Sequence, residues 1–174
     1  MTAKPSVRDL DKAAKDTQTV TREGELVQEQ IHGVLVRHAI THADERGALT
    51  EVFDERWEFT TEPAIYVNTA TIRPGQARGW VVHLEQDDRL FFLQGTAKLA
   101  LYDPREESET FGLVNVFFLG DHDRALVRIP VGVVHAVKNV GDDEVIFLNL
   151  PTRPYTHDDP DKYRFPPDAI PYRL

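Results

Sequence analysis

Between Gly33 and Leu150 the chain is a succession of short runs rich in Val, Ile, Leu, Phe and Thr, broken every several residues by Gly, Asn, Asp or Pro. Such runs are too short for ordinary helices, and their β-branched and aromatic content suits a pleated, half-buried surface. The pattern predicts strands over 33–39, 48–53, 65–72, 79–84, 89–94, 96–103, 113–119, 125–129, 133–139 and 144–150. Short strands with no helices between them point to an all-β chain whose antiparallel sheets face each other, a sandwich or a double-sheet jelly roll. Asp123-Arg124, Gln94-Gly95-Thr96 and Asn139-Val140-Gly141-Asp142-Asp143 carry the residues of hairpin turns.

Residues 1–32 read as a polar arm, with Ser6 placed to cap a short helix from Val7 to Lys15, and residues 33–174 as the one domain. The tail from Pro151 holds six of the eleven prolines, so it is expected to wrap the barrel as ordered loop. Twenty Lys and Arg against 29 Asp and Glu give a net charge of −9, which argues against nucleic acid or a membrane surface as partner. The absence of cysteine removes disulfides, thiol nucleophiles and thiolate metal sites, so a metal would need His and carboxylate ligands. The polar N-terminus lacks the apolar run of a signal peptide, and the expected location is cytoplasmic.

Residues suited to chemistry concentrate in two stretches, Pro74 to Gly95 and Ile129 to Asn139. In a strand, residues two apart share a face, so Val81 and His83 look one way while Trp80 and Val82 look the other. Val133, His135 and Val137 likewise share a face. The spacing of Gly75, His83, Asp88 and Gly95, followed by Pro130, Gly132, His135 and Asn139, resembles the two halves of the cupin motif. That resemblance implies a barrel with His83 and His135 facing its interior, and Val81 stands where the motif has its first histidine. His83, Asp88 and His135 would supply three ligands to a metal-dependent oxygenase or isomerase. With Val81 removing one ligand of the four-residue set, and Arg89 favouring an anionic substrate, the expectation is a site without metal or other cofactor.

Over roughly 140 residues, from about Val34 onward, the chain resembles the RmlC-like cupins, the dTDP-4-dehydrorhamnose 3,5-epimerases. The resemblance is carried by Asp44 to Glu51, Arg78-Gly79-Trp80, Arg89-Leu90, Tyr102-Asp103-Pro104-Arg105, Ile129 to His135, Asn149-Leu150-Pro151-Thr152, Tyr155 and Asp159 to Arg164. It implies a homodimeric, metal-free enzyme that inverts a carbon beside the C4 ketone of a nucleotide-linked deoxysugar, in surface polysaccharide or glycoside synthesis. By the same resemblance Arg89 holds the enolate oxygen and Tyr155 returns a proton. Arg46 and Glu51 hold the nucleotide of the partner subunit's site, and Arg78 matches another active-site arginine; His135, converging with His83 on one barrel mouth, is the further candidate to contact substrate. The family's base histidine corresponds to Val81, which leaves His83 as the inward candidate for proton abstraction. A non-catalytic nucleotide-sugar binder that has lost its base is the rival reading.

Overall fold

The computed structural model describes residues 13–23, 27–57, 59 and 62–174. The strands are β1 (Leu35–His38), β2 (Thr41–Asp44), β3 (Gly47–Thr50), β4 (Asn68–Ile72), β5 (Ala77–Val82), β6 (Asp88–Gln94), β7 (Thr96–Tyr102), β8 (Val114–Gly120), β9 (Ala125–Ile129), β10 (Val134–Asn139), β11 (Val145–Asn149) and β12 (Tyr163–Arg164). One sheet runs β1-β9-β6-β11-β4, a second runs β12-β5-β10-β7-β8, and β2 pairs with β3 in a separate hairpin. All pairings are antiparallel. The expected all-β double-sheet jelly roll is the fold observed.

The three expected hairpin turns all do something else. The links at Gly95, at Asp121 to Arg124 and at Val140 to Glu144 each carry the chain from one sheet to the other. Turn chemistry dictates a local reversal, but which strand is paired depends on which faces must be buried. Gly95, at φ +78°, makes the tightest of these corners: a side chain there would meet the Glu144 carbonyl oxygen at 2.8 Å. Two strands also arise where none was expected, β2 within 41–44 and β12 within the proline-rich tail. The expected N-terminal helix lies mostly outside the described residues, and 13–23 contain no helix. No helix among the described residues is long and apolar enough to cross a membrane.

Alternation along each strand builds three apolar layers. Leu90, Phe92, Leu99, Leu101, Val127, Val137 and Phe147 meet between the sheets. Phe91, Leu126 and Leu150 point out of the first sheet against Phe53 and Phe59. Trp80, Val82, Ala100, Val134 and Ala136 point out of the second, where the tail covers them with Ile170, Tyr172 and Leu174. At roughly 25 cal/mol per Å² of apolar surface, this cover stabilises the tail as well as the sheet. The last residues of the tail are thereby fixed against the outer face of the second sheet.

Candidate active site

A cavity of about 1130 Å³ opens between the sheets, walled by the inner faces of β4, β5, β6, β10 and β11 and roofed by the tail from Pro151 to Arg164. His83 follows β5, Asp88 begins β6 and His135 lies in β10, and all three are buried at the cavity floor. Asp88 Oδ2 lies 3.3 Å from His83 Nε2 and 3.4 Å from His135 Nε2. The other ring nitrogens are also engaged: His83 Nδ1 with the Asp161 carbonyl, and His135 Nδ1 with the Val133 carbonyl at 3.3 Å. Gln86 donates to the second Asp88 oxygen at 3.1 Å.

Burial opposes ionisation of Asp88, but hydrogen bonds and charge from His135 and His83 outweigh it and hold the carboxyl far below the ordinary range. For His83, burial favours the neutral ring, while the Asp88 carboxylate and the Asp161 carbonyl raise its pKa above the usual value. Acceptors at both nitrogens of one ring favour the imidazolium, which donates from both. His83 is therefore arranged to present positive charge and a proton rather than to take one. The three ligand atoms lie within 4.8 Å of one another and form the one group among the described residues that could hold a metal ion; Val81, where the cupin motif has its first histidine, offers no ligand.

Arg89 is elsewhere. Strand parity sends Asp88, Leu90 and Phe92 inward and Arg89 and Phe91 outward, so the guanidinium expected at the enolate oxygen lies behind the sheet. There it donates to the carbonyls of Leu150 (2.6 Å), Glu62 (2.7 Å), Pro63 (2.9 Å) and Pro151 (3.4 Å), beside the Phe53 ring. The parity that correctly paired Val81 with His83 separates Arg89 from the cavity when applied one strand further on.

Tyr155 and Arg78 line the cavity together with His83 and His135. Tyr155 is half-exposed and packs edge-on against His157, and Arg78 donates to the Thr71 carbonyl at 3.1 Å. Arg46 and Glu51 are not brought to the cavity of their own chain. Arg46 sits in the β2–β3 hairpin, ion-paired with Asp44, and Glu51 follows that hairpin beside a small second pocket.

The tail contributes residues that sequence reasoning left without a role. Asp161 accepts the amide protons of Leu84 and Glu85, each at 2.8 Å, while its own carbonyl meets His83. β12 then pairs with β5, Tyr163 opposite Val82 and Arg164 opposite Val81. Paired residues share a face, so Arg164 and, two residues back, Lys162 fall on the inner side beside Val81 and His83. The signal was the Lys162-Tyr163-Arg164-Phe165 alternation, which reads as an edge strand once the prolines around it are discounted.

Residues 42–163 match the family described as polysaccharide biosynthesis C-terminal domain. The chain is 39% identical over 140 residues to a Haloferax volcanii protein named probable low-salt glycan biosynthesis epimerase Agl13, covering 79% of this chain and 89% of that one. It is 33% identical over 138 residues to the Bacillus subtilis spore coat polysaccharide biosynthesis protein SpsL, covering 79% and 91%. A dTDP sugar isomerase from Desulfovibrio desulfuricans shares the fold with a TM-score of 0.74 at 23% identity, over 82% of this chain and 90% of that one. The match runs from the β2–β3 hairpin through both histidine-bearing strands to β12, and the chain accordingly belongs to the polysaccharide biosynthesis C-terminal domain family, built on the jelly roll of the dTDP-sugar isomerases.

Proposed function

We propose that this protein is a cytoplasmic epimerase or isomerase of nucleotide-linked 4-keto-6-deoxysugars serving surface polysaccharide or glycoside synthesis. The observation that carries the reading is the cavity itself. A His83–Asp88–His135 cluster forms its floor, and Arg78 and Arg164 line its wall with guanidinium groups suited to a diphosphate. Agl13 is named as a glycan epimerase and the Desulfovibrio neighbour as a dTDP sugar isomerase, which supports the same substrate class.

Removal of a proton beside the C4 ketone leaves an enolate whose negative oxygen needs a fixed donor. His83, charged and tied to Asp88 and Asp161, takes the part expected of Arg89. Tyr155, on the tail side of the cavity, returns a proton to carbon, and His135 contacts the sugar. Because Val81 has no lone pair, inversion at one carbon fits better than full inversion at both C3 and C5. The same valine favours a second reading, a binder that no longer catalyses.

The working unit is a homodimer. The segment through the β2–β3 hairpin exposes Ile40 at 73% and Leu49 at 63%, apolar area that a second copy would cover while Arg46 and Glu51 reach its cavity. Sedimentation at micromolar concentration is expected to give a dimer, and Arg46→Ala to weaken nucleotide-sugar binding. A monomer with unchanged affinity contradicts this arrangement.

A thermal-shift series with dTDP-, UDP-, GDP- and CDP-sugars tests the substrate class. Selective stabilisation by dTDP-sugars is expected, since only native-state binding raises the transition temperature. Equal response to all four, or to none, contradicts the reading.

A further inference from the structure

Val81 offers no base on the inner face of β5, but that face is not left bare. β12 lies along the free edge of β5, and its register brings Arg164 beside Val81 and Lys162 beside His83 on the cavity side. The segment is held by more than its two strand residues. Asp161 anchors to the amides of Leu84 and Glu85, and the Phe165 amide donates to the Trp80 carbonyl at 3.0 Å. The amine of Lys162 is thereby carried on a docked strand rather than on a swinging loop.

We infer that Lys162 is the base that removes the α-proton of the 4-keto sugar, held by the tail strand beside His83 on the cavity side of β5. This inference rests on the epimerase reading. The neutral amine takes the proton from carbon. The C–H electron pair becomes the enolate double bond, and the carbonyl π pair moves onto the oxygen, where the His83 imidazolium receives it. Reprotonation by Tyr155 from the opposite face completes inversion, and solvent returns the proton balance of Lys162 and Tyr155.

An ordinary lysine is almost wholly protonated at neutral pH, so the surroundings matter. Lys162 is exposed among the residues that line the cavity, yet partial desolvation of its amine and the neighbouring charge of Arg164 lower its pKa, Arg78 lowers it further, and Asp88 opposes them. The charged and titratable groups lining the cavity with it are Tyr66 before β4, Arg78, His83 and Glu85 on and after β5, Asp88 on β6, His135 on β10, and Arg153, Tyr155, Asp159, Asp161, Tyr163 and Arg164 from the tail. Arg164 and Arg78 favour release of the ammonium proton, and Asp88 works against it. His83, by contrast, has an acceptor at each nitrogen and is the poorer base of the two.

The test is the rate of α-deuterium exchange into dTDP-4-keto-6-deoxyglucose by the full chain and its variants, with dTDP affinity measured alongside. Lys162→Ala is expected to lower exchange by about 10²–10⁴-fold, the usual range for losing a general base. Lys162→Arg, which keeps the charge but does not release a proton, should fall as far while retaining dTDP affinity. Methylamine should restore part of the rate to Lys162→Ala and none to Lys162→Arg, and the alkaline rise of the wild-type rate should vanish in both. If the wild type exchanges and Lys162→Arg keeps its rate, the base assignment is overturned while the epimerase reading stands. If the wild type exchanges no α-proton at all, both fall together.

Discussion

Asp88 and Arg89 are neighbours in sequence and both buried, yet one belongs to the cavity and the other to the packing behind it. Asp88 has a depressed pKa and His83 a raised one, so their effects on stability have opposite signs with pH. The Asp88 contribution is present above its unfolded value of 3.8 and is lost as pH falls through its folded value. The His83 contribution is complete below its unfolded value of 6.5 and is lost as pH rises through its folded value. Asp88→Asn is therefore expected to destabilise by about 1–3 kcal/mol, most strongly between about pH 4 and 6.5. Urea denaturation across pH checks this, and a cost independent of pH would contradict the ion pair. Arg89 carries a different expectation. Arg89→Lys should cost about 1–3 kcal/mol, because buried carbonyls lose their donors, and should leave dTDP-sugar affinity unchanged. Calorimetric binding beside a denaturation curve separates that outcome from the catalytic role the family resemblance assigned to Arg89.

At the scale of elements, the cavity depends on how closely β5 and β10 approach. Gly79 sits at φ +142°, and a Cβ there would lie 2.3 Å from the Cβ of Ala136 and 2.6 Å from its Cα. Gly79→Ala is expected to cost more than about 2 kcal/mol through overpacking and backbone strain, read as a lower urea midpoint. An unchanged midpoint would mean that β5 and β10 yield without loss. Period-two alternation made the strands legible in sequence, and the same parity placed His83 and His135 on one inward face. It could equally have separated Asp88 from Arg89, but adjacent charges of opposite sign invite reading as one site. The pairing of strands was not legible, because turn residues such as Gly95 serve sheet-crossing corners and hairpins alike. β12 was masked by the prolines around its short Lys162 to Phe165 alternation, and its register is fixed by Asp161 bonding to the amides after β5 and by Phe165 bonding to Trp80.

For the whole molecule, two sheets and a covering tail converge on one opening, and the β2–β3 hairpin lies apart from it. The sheets supply the His–Asp–His floor, and the tail supplies Tyr155, Lys162 and Arg164. The central claim is that this opening exchanges a proton beside the ketone of a nucleotide-linked sugar. It is tested most directly by incubating the wild-type protein with dTDP-4-keto-6-deoxyglucose in D₂O and following the C3 and C5 protons by NMR. Loss of one of these signals in proportion to enzyme concentration, with the other retained, is the predicted result. Retention of both signals after prolonged incubation with a protein that binds the sugar would contradict the claim and leave a nucleotide-sugar binder in its place.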